Sequence, residues 1–265
     1  PAKTKLSRQA EKEQRQLDET TTFDGERFTV PMLWKGKFGY IPPSEKNARD
    51  RLASLHRTID RKKIRLQYAK TIADDLKKGY VKKLSQEEAK ELRGGLHWFL
   101  PHFVVLHPDK PDRPRRVLDC AARSGGVNLN SFLNTGPNNL ADLWGVLLRF
   151  RVFEHVINAD ITEMFPQVRV AKEDENMLAF LWNDDPTKEP DVYVNLRHVF
   201  GGKCSPSIAN HAVQMAARRF KKKLEEIVKR HFYMDDFYFG AYDIETLVAV
   251  AKEIAQALEE CGFKL

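Results

Sequence analysis

The sequence predicts an α+β fold in which short strands alternate with amphipathic helices. Residues 231–240 place two adjacent carboxylates between strand-prone aromatic residues, a pattern typical of a β-hairpin with both acids at its tip. A second strand-prone run, residues 156–161, contains Asp160. Apolar residues at helical spacing lie between and after these strands. The prediction therefore puts three carboxylates on adjacent strands.

Asp235 and Asp236 are the adjacent acids of the hairpin. Each raises the proton affinity of the other, and apolar neighbours remove water from both. A divalent cation would neutralise the pair, whereas the simpler interpretation is a polar turn in an edge hairpin. The third carboxylate, Asp160, favours the cation site.

Charge and cysteine content narrow the class of protein. The chain of 265 residues has 44 Lys and Arg against 37 Asp and Glu, a net charge of +7 that favours a polyanionic partner such as nucleic acid. Three widely spaced cysteines suggest neither a disulfide framework nor a zinc site, and they indicate a reducing, intracellular compartment. No apolar run approaches the roughly 18 residues that span a bilayer, so no membrane partner is expected. Because the chain begins at Pro1, we expect a processed or excised piece.

The first half of the chain predicts a charged segment, several helices and a hairpin. Residues 1–22 are interpreted as a linker or a solvated helix. In the hairpin of residues 98–120, period-two alternation puts Arg115 and Asp119 on one face and Arg116 on the other. Three histidines invite a zinc interpretation, but their spacing of five alternates across a strand and disfavours it: His97, His102 and His107.

Three helices are predicted in the second half: a final amphipathic helix closes at Gly262, and two lie before the carboxylate hairpin. One, from Pro137, carries an apolar stripe that we expect to be core: Leu140, Leu143, Trp144 and Leu147. The other has Ser205 as N-cap and Pro206 at its first position, and runs to about Lys229. Its end is basic at 218–223, and the carboxylate hairpin follows it.

The order of these motifs resembles a reverse transcriptase. Residues 233–236, Tyr-Met-Asp-Asp, resemble the active-site box of that family, and residues 160–165 resemble its first aspartate motif. Residues 200–210 resemble its nucleotide-binding loop and helix. More narrowly, residues 25–80, 115–151 and 167–182 are similar to the BEL/Pao class of LTR retrotransposons.

This resemblance implies an RNA-directed DNA polymerase, a nucleotidyltransferase that adds dNTPs to a primer 3′-hydroxyl on an RNA or DNA template. The reaction is an in-line displacement in which two cations activate the attacking oxygen and stabilise the leaving one. By resemblance, Asp160 and Asp235 bridge two Mg²⁺ ions while Asp236 assists, and Mn²⁺ is an expected substitute. The backbone of Ile161 is a further expected ligand.

The resemblance also assigns substrate contacts. Phe165 would lie under the sugar and exclude a 2′-hydroxyl, and Phe200 and Gly201 would border the incoming base and sugar. Tyr233 and Met234 are expected to contact the primer-template. Three residues are considered for the triphosphate, with Arg115 preferred to the other two: Arg115, Arg116 and Lys110.

The implied architecture is that of right-hand polymerase fingers and palm, the palm being a split β-α-β (ferredoxin-like) sheet backed by helices. The expected boundaries are a charged linker at 1–22, fingers at 23–134, palm at 135–170, a fingers insertion at 171–199 and palm at 200–265. The thumb, RNase H and integrase of such polyproteins are not expected within these residues. The expected location is the cytoplasm, with the nucleus or a retrotransposon particle as alternatives.

Some residues depart from the family pattern. Asp119-Cys120-Ala121 stands where the class usually has Asp-Ala-Ser, which leaves the choice between Arg115 and Arg116 open. Pro166 stands where a basic residue is more usual. An RNA-dependent RNA polymerase is disfavoured by Phe165. The remaining alternative is a truncated or domesticated module that binds nucleic acid or a protein partner without catalysis; the three intact carboxylates argue against it and the missing thumb argues for it.

Overall fold

The computed structural model describes residues 7–36 and 40–265, which form a mixed α+β fold with small sheets, as predicted. The helices are α1 (Arg8–Thr20), α2 (Glu45–Arg61), α3 (Arg65–Lys77), α4 (Gln86–Gly94), α5 (Leu143–Val152), α6 (Ser205–Phe220), α7 (Lys222–His231) and α8 (Ile244–Glu259). The strands are β1 (Thr22–Phe23), β2 (Phe28–Val30), β3 (Val81–Lys83), β4 (His102–His107), β5 (Lys110–Leu118), β6 (His155–Asp160), β7 (Arg169–Val170), β8 (Ala179–Trp182), β9 (Asp191–Asn195), β10 (Phe232–Tyr233) and β11 (Asp236–Ala241). Three 3₁₀ helices cover Leu129–Phe132, Phe165–Gln167 and Lys172–Leu178. Within the described ranges, no helix is long and apolar enough to cross a membrane.

The chain folds into two compact units, each built from separated segments. Unit 1 contains the described residues up to Pro31, then Thr135–Arg169 and Cys204–Leu265. Unit 2 contains Met32–Asn134 and Val170–Lys203. The sequence also predicts strands and turns over residues 23–41; β2 lies within this range, and residues 37–39 lie outside the described residues.

The central sheet of unit 1 has the strand order β10-β11-β6, with all neighbours antiparallel. Its register places Asp236 opposite Asp160 and Gly240 opposite Val156. Both α5 and α8 pack against β11. The approach of the α5 end is close, because a Cβ atom at Gly240 would lie 2.7 Å from Cδ2 of Phe153. Glycine at this position lets the segment after α5 lie directly on the strand.

Helix α1 confirms the helical one of the two alternatives for residues 8–20, and the linker alternative is wrong there. Ser7 caps the helix by accepting a hydrogen bond from the N–H of Ala10, and Leu17 is fully buried. Leu17 is the apolar side chain that anchors this otherwise polar helix. Gln14 adds a polar anchor, since its Oε1 accepts a hydrogen bond of 2.7 Å from Nδ2 of Asn139.

Helix α5 corrects the predicted core stripe. Trp144 is 75% exposed and Leu143 is 39% exposed, whereas Val146 is fully buried. The helix begins at Leu143 rather than at Pro137, with Asp142 as N-cap accepting a hydrogen bond from the N–H of Gly145. That start turns Val146, rather than Trp144, toward the interior.

The single helix predicted from Ser205 to about Lys229 is two helices. Cys204, not Ser205, is the N-cap of α6, and Pro206 lies in the first turn. Lys221 has an extended backbone and separates α6 from α7. Its Nζ forms an ion pair of 2.6 Å with Glu253 of α8. The break lets α7 turn its own apolar face inward, where Leu224 is buried.

Unit 2 contains the hairpin β4-β5 and a sheet of order β3-β9-β8. The first hairpin confirms the strands predicted between residues 98 and 120, although β5 begins at Lys110, inside the predicted loop. Its two prolines are tolerated because each strand of a two-stranded ribbon has a free edge.

A buried polar cluster surrounds His102, the first residue of β4. The Tyr68 hydroxyl donates to Nδ1 of His102 at 2.6 Å, and Nε2 of His102 donates to the Leu181 carbonyl at 2.9 Å. Burial, with a nearby arginine, lowers the pKa of His102 to about 3, so its ring is neutral. Both ring nitrogens of His102 are engaged, which leaves neither for the zinc site considered from sequence.

Candidate active site

The acidic hairpin of unit 1 has a tight two-residue turn. Tyr233 pairs with Asp236, so Met234 and Asp235 form the turn. Met234 has a positive φ of 57°, as the first central residue of a type II′ turn does. The structure thus confirms the predicted hairpin and puts Asp235 at its tip.

Asp160 lies beside this tip. It is the last residue of β6 and stands opposite Asp236 in the sheet register. The N–H of Ile161 donates to the Asp235 carbonyl at 2.8 Å, which ties the backbone after Asp160 to the turn. The three predicted carboxylates are therefore brought together by two adjacent strands.

The electrostatics of Asp160 reflect this arrangement. Burial, and then the charges of Asp235 and Asp236, raise the pKa of the Asp160 carboxyl. Among residues 7–36 and 40–265, no group of three His, Cys, Asp or Glu side chains is arranged to hold a metal ion. The donor set nevertheless fits a hard divalent cation, because it consists of carboxylate oxygens whose mutual repulsion a cation would relieve.

Two polar residues behind the carboxylates were missed by the sequence analysis. They are Tyr238 of β11 and Asn158 of β6; burial, and then the charge of Asp236, raise the pKa of the Tyr238 hydroxyl. Both residues stand opposite each other in the register, two positions from the Asp236–Asp160 pair. The alternation of β11 could have identified Tyr238, since residues two apart share a face of a strand.

The turn residues predicted to contact primer-template are half-buried. Nδ2 of Asn210 donates to the Met234 sulfur at 3.8 Å and to the Pro206 carbonyl at 2.9 Å. Helix α6 therefore supports the turn from within unit 1. Tyr233 pairs with Asp236 and occupies the other side of the turn.

Phe165 begins the 3₁₀ helix that follows β6 by a few residues, and its side chain is only 4% exposed. The structure thus places it in packed surroundings in the same unit as the carboxylates. Its predicted contact with the sugar stays a prediction.

Unit 2 contains the residues considered for the triphosphate. Arg115 is exposed on β5, opposite Val105. Arg116 points inward, with an ion pair of 2.7 Å to Asp75 and its guanidinium 4.6 Å from the centre of the Phe180 ring. Arg116 is thus engaged by its own unit.

Lys110 and Asp119 are the other two residues of unit 2 for which the sequence gave an expectation. Lys110 opens β5, and its side chain is not among those described. Asp119, expected to share a face with Arg115, forms an ion pair of 3.0 Å with Arg51.

The loop with Phe200 and Gly201 lies against the end of β5. Gly201 has a φ of 94°, and a Cβ atom there would lie 2.9 Å from the Leu118 carbonyl oxygen. Nδ2 of Asn130 donates to the Gly201 carbonyl at 2.9 Å, and its Oδ1 accepts from the N–H of Lys203 at 2.8 Å. Phe200 is 59% exposed beside this clamp. Sequence reasoning gave no signal for Asn130.

Comparisons with known proteins agree with this geometry. The family described as reverse transcriptase (RNA-dependent DNA polymerase) matches residues 148–265. Among solved structures, the chain is similar to a prototype foamy virus protease-reverse transcriptase (CSH mutant), with 17% identity and a TM-score of 0.60. That similarity, which is one of fold, covers 98% of this chain and 33% of that chain. No curated protein matches the chain. The match of residues 148–265 to this family and the similarity of fold support the predicted enzyme class, a nucleotidyltransferase of the RNA-directed DNA polymerase type.

Proposed function

We propose that this chain is the catalytic part of an RNA-directed DNA polymerase of the BEL/Pao type, with unit 1 as palm and unit 2 as fingers. The observation that carries the proposal is the pairing of Asp160 with Asp236 beside the turn that presents Asp235. The match of residues 148–265 to the reverse transcriptase family supports it. The sequence similarity of residues 115–151 supports the narrower class.

Reverse transcriptase domains use divalent metal ions. We assign Mg²⁺ to this chain; Asp160 and Asp235 would hold it, and Asp236 and the Ile161 backbone would assist. When bound, it supplies charge neutralisation and activation of the attacking oxygen. The backbone of unit 1 orients these side chains, since the hydrogen bond from the N–H of Ile161 to the Asp235 carbonyl ties the end of β6 to the turn before β11.

The proposed substrates are a primer annealed to an RNA or DNA template, together with dNTPs. Arg115 is the proposed triphosphate contact because it is exposed, whereas Arg116 is committed to Asp75. Phe165 is the proposed nucleotide contact of unit 1, and Phe200 and Gly201 are the proposed nucleotide contacts of unit 2.

Primer extension tests this function. With a DNA primer on an RNA template, dNTPs and Mg²⁺, we expect extension that stops when a chelator removes the cation. Duplex binding without extension at any cation concentration would instead support the non-catalytic module, with binding measured by fluorescence anisotropy in the same buffers.

The basic end of α6 and the start of α7 give a second prediction. Lys222 and Lys223 are exposed, whereas Lys221 is paired with Glu253. If Lys222 and Lys223 contact phosphates, changing both to Ala weakens duplex binding and reduces the slope of log K against log salt by about 2.

Lys221→Ala is the matched control, since it removes the same charge from a lysine already paired with Glu253. We expect it to change the slope less than the double variant does. If the double variant keeps the affinity and slope of the parent, neither lysine contacts the phosphates of the duplex.

A further inference from the structure

The loop of unit 2 that contains Phe200 is a tight turn. The N–H of Gly202 donates to the Val199 carbonyl at 3.4 Å, and Gly201 has a positive φ of 94°, a value that the third residue of a type II turn adopts. Phe200 is the second residue of this turn and is 59% exposed. A hydrogen bond as long as 3.4 Å is weak, so the position of the turn depends on contacts outside it.

The side-chain amide of Asn130 bonds to both sides of this turn. Its Nδ2 donates to the Gly201 carbonyl at 2.9 Å, and its Oδ1 accepts from the N–H of Lys203 at 2.8 Å. Asparagine suits this position because its amide carries a donor and an acceptor in one planar group. The amide thus joins two backbone groups that the turn itself leaves without a bond to each other.

Asn130 is held by its own surroundings. It is the second residue of the 3₁₀ helix Leu129–Phe132, which Asn128 caps and whose first residue is fully buried. The N–H of Asn130 donates to the carbonyl of Cys120 at 3.3 Å, and Cys120 follows β5 by two residues. The amide therefore extends from a backbone that is tied to the end of β5.

The turn also lies directly on the end of β5. A Cβ atom at Gly201 would lie 2.9 Å from the Leu118 carbonyl oxygen and 3.7 Å from the sulfur of Cys120. Strand β5 carries Arg115, the proposed triphosphate contact of unit 2. Asn130 is bonded to the backbone after β5 and to the turn, so it sets the position of the turn relative to that strand.

We propose that Asn130 is a positioning residue that holds the turn with Phe200 and Gly201 in its nucleotide-binding geometry before a dNTP arrives. This inference rests on the proposed function of the turn. While the turn is held, binding does not include the free-energy cost of ordering it. Without Asn130, only the fraction of molecules with the correct turn binds the nucleotide, and the apparent dissociation constant rises by the inverse of that fraction. The chemical step is unchanged once the nucleotide is bound.

Asn130→Ala tests the proposal in single-nucleotide primer extension with Mg²⁺ at saturation. Two hydrogen bonds of an exposed loop are lost, so we expect the KM for dNTP to rise about tenfold. The kcat should stay within about twofold of the parent. Asn130→Asp keeps the acceptor for Lys203 and loses the donor to Gly201, so its KM should rise by about threefold.

Hydrogen–deuterium exchange gives a readout that needs no catalysis. In the parent without nucleotide, the N–H of Lys203 is bonded to Asn130, which should slow its exchange. We expect faster exchange of this N–H in Asn130→Ala. Exchange at the parental rate in that variant would show that Asn130 does not hold the turn.

Asn183→Ala is the matched control, since Nδ2 of Asn183 donates to the carbonyls of Asp185 and Lys188 at 2.7 and 2.6 Å and so holds a different loop of unit 2. It should lower the melting temperature without changing the KM for dNTP. If Asn130→Ala also lowers the melting temperature and keeps the parental KM, its role is only structural and the proposed function stands. If the parent itself adds no nucleotide to a primer, the proposed function is wrong and the positioning role is wrong with it.

Discussion

Asp160→Asn is expected to lower the rate of primer extension by about 10³-fold or more, since it removes a charged ligand from the pair of strands that carries the site. The change keeps the size and shape of the side chain. Asp160 stands opposite Asp236, so the loss of one carboxylate also leaves Asp236 without its facing partner. The measurement is single-nucleotide extension under saturating Mg²⁺, with parent and variant at equal concentration.

The stability of the same variant provides its control. Burial and neighbouring charges raise the pKa of Asp160, so its ionised form is disfavoured in the folded protein. The ionised group therefore reduces stability at pH values above this raised pKa, and the reduction disappears as the pH falls toward the usual range for aspartate. In chelator at pH 7, the melting temperature of Asp160→Asn should equal or exceed that of the parent. Extension at the parental rate would refute the assignment.

Phe165→Val is expected to raise ribonucleotide incorporation relative to deoxyribonucleotide by at least about tenfold, because a smaller side chain would remove the clash with a 2′-hydroxyl. The side chain is only 4% exposed, so the same change also leaves a cavity and lowers the free energy of unfolding by about 2 kcal/mol. Incorporation of matched ribo- and deoxyribonucleotides, measured beside the melting temperature, reports both effects.

Phe28→Val separates the two effects, since Phe28 is a buried phenylalanine of β2 in the same unit. It should lower stability by a similar amount without changing the sugar ratio. A Phe165→Val protein that is destabilised but keeps the parental ratio would make Phe165 a core residue and remove it from the nucleotide site.

The candidate hairpin was predictable because its determinants are local. Strand-prone aromatics flank a two-residue turn, and Asp235 and Asp236 follow from their place in it. The period-two alternation of β5 also correctly put Arg115 and Arg116 on opposite faces of the strand. It could not say which one faces the interior, because that depends on Asp75 of α3, far away in sequence.

The features that sequence reasoning missed depend on tertiary contacts. The break at Lys221 accompanies the burial of Leu224 of α7, which local sequence does not show. The exposed Trp144 violates the usual link between apolar stripes and burial, and Val146 occupies the interior instead. Local propensity is a weak guide where distant partners decide.

The interleaving of the two units has a consequence for synthesis on the ribosome. Unit 2 is complete once Lys203 has emerged, whereas β6 in unit 1 must wait for β11 before its carboxylate strand is paired. Pairing over such a long stretch of chain is slow, because loop closure precedes any gain from contacts. The segment with Asp160 is thus made early and ordered late, and until then its unpaired edge is open to association with other nascent chains.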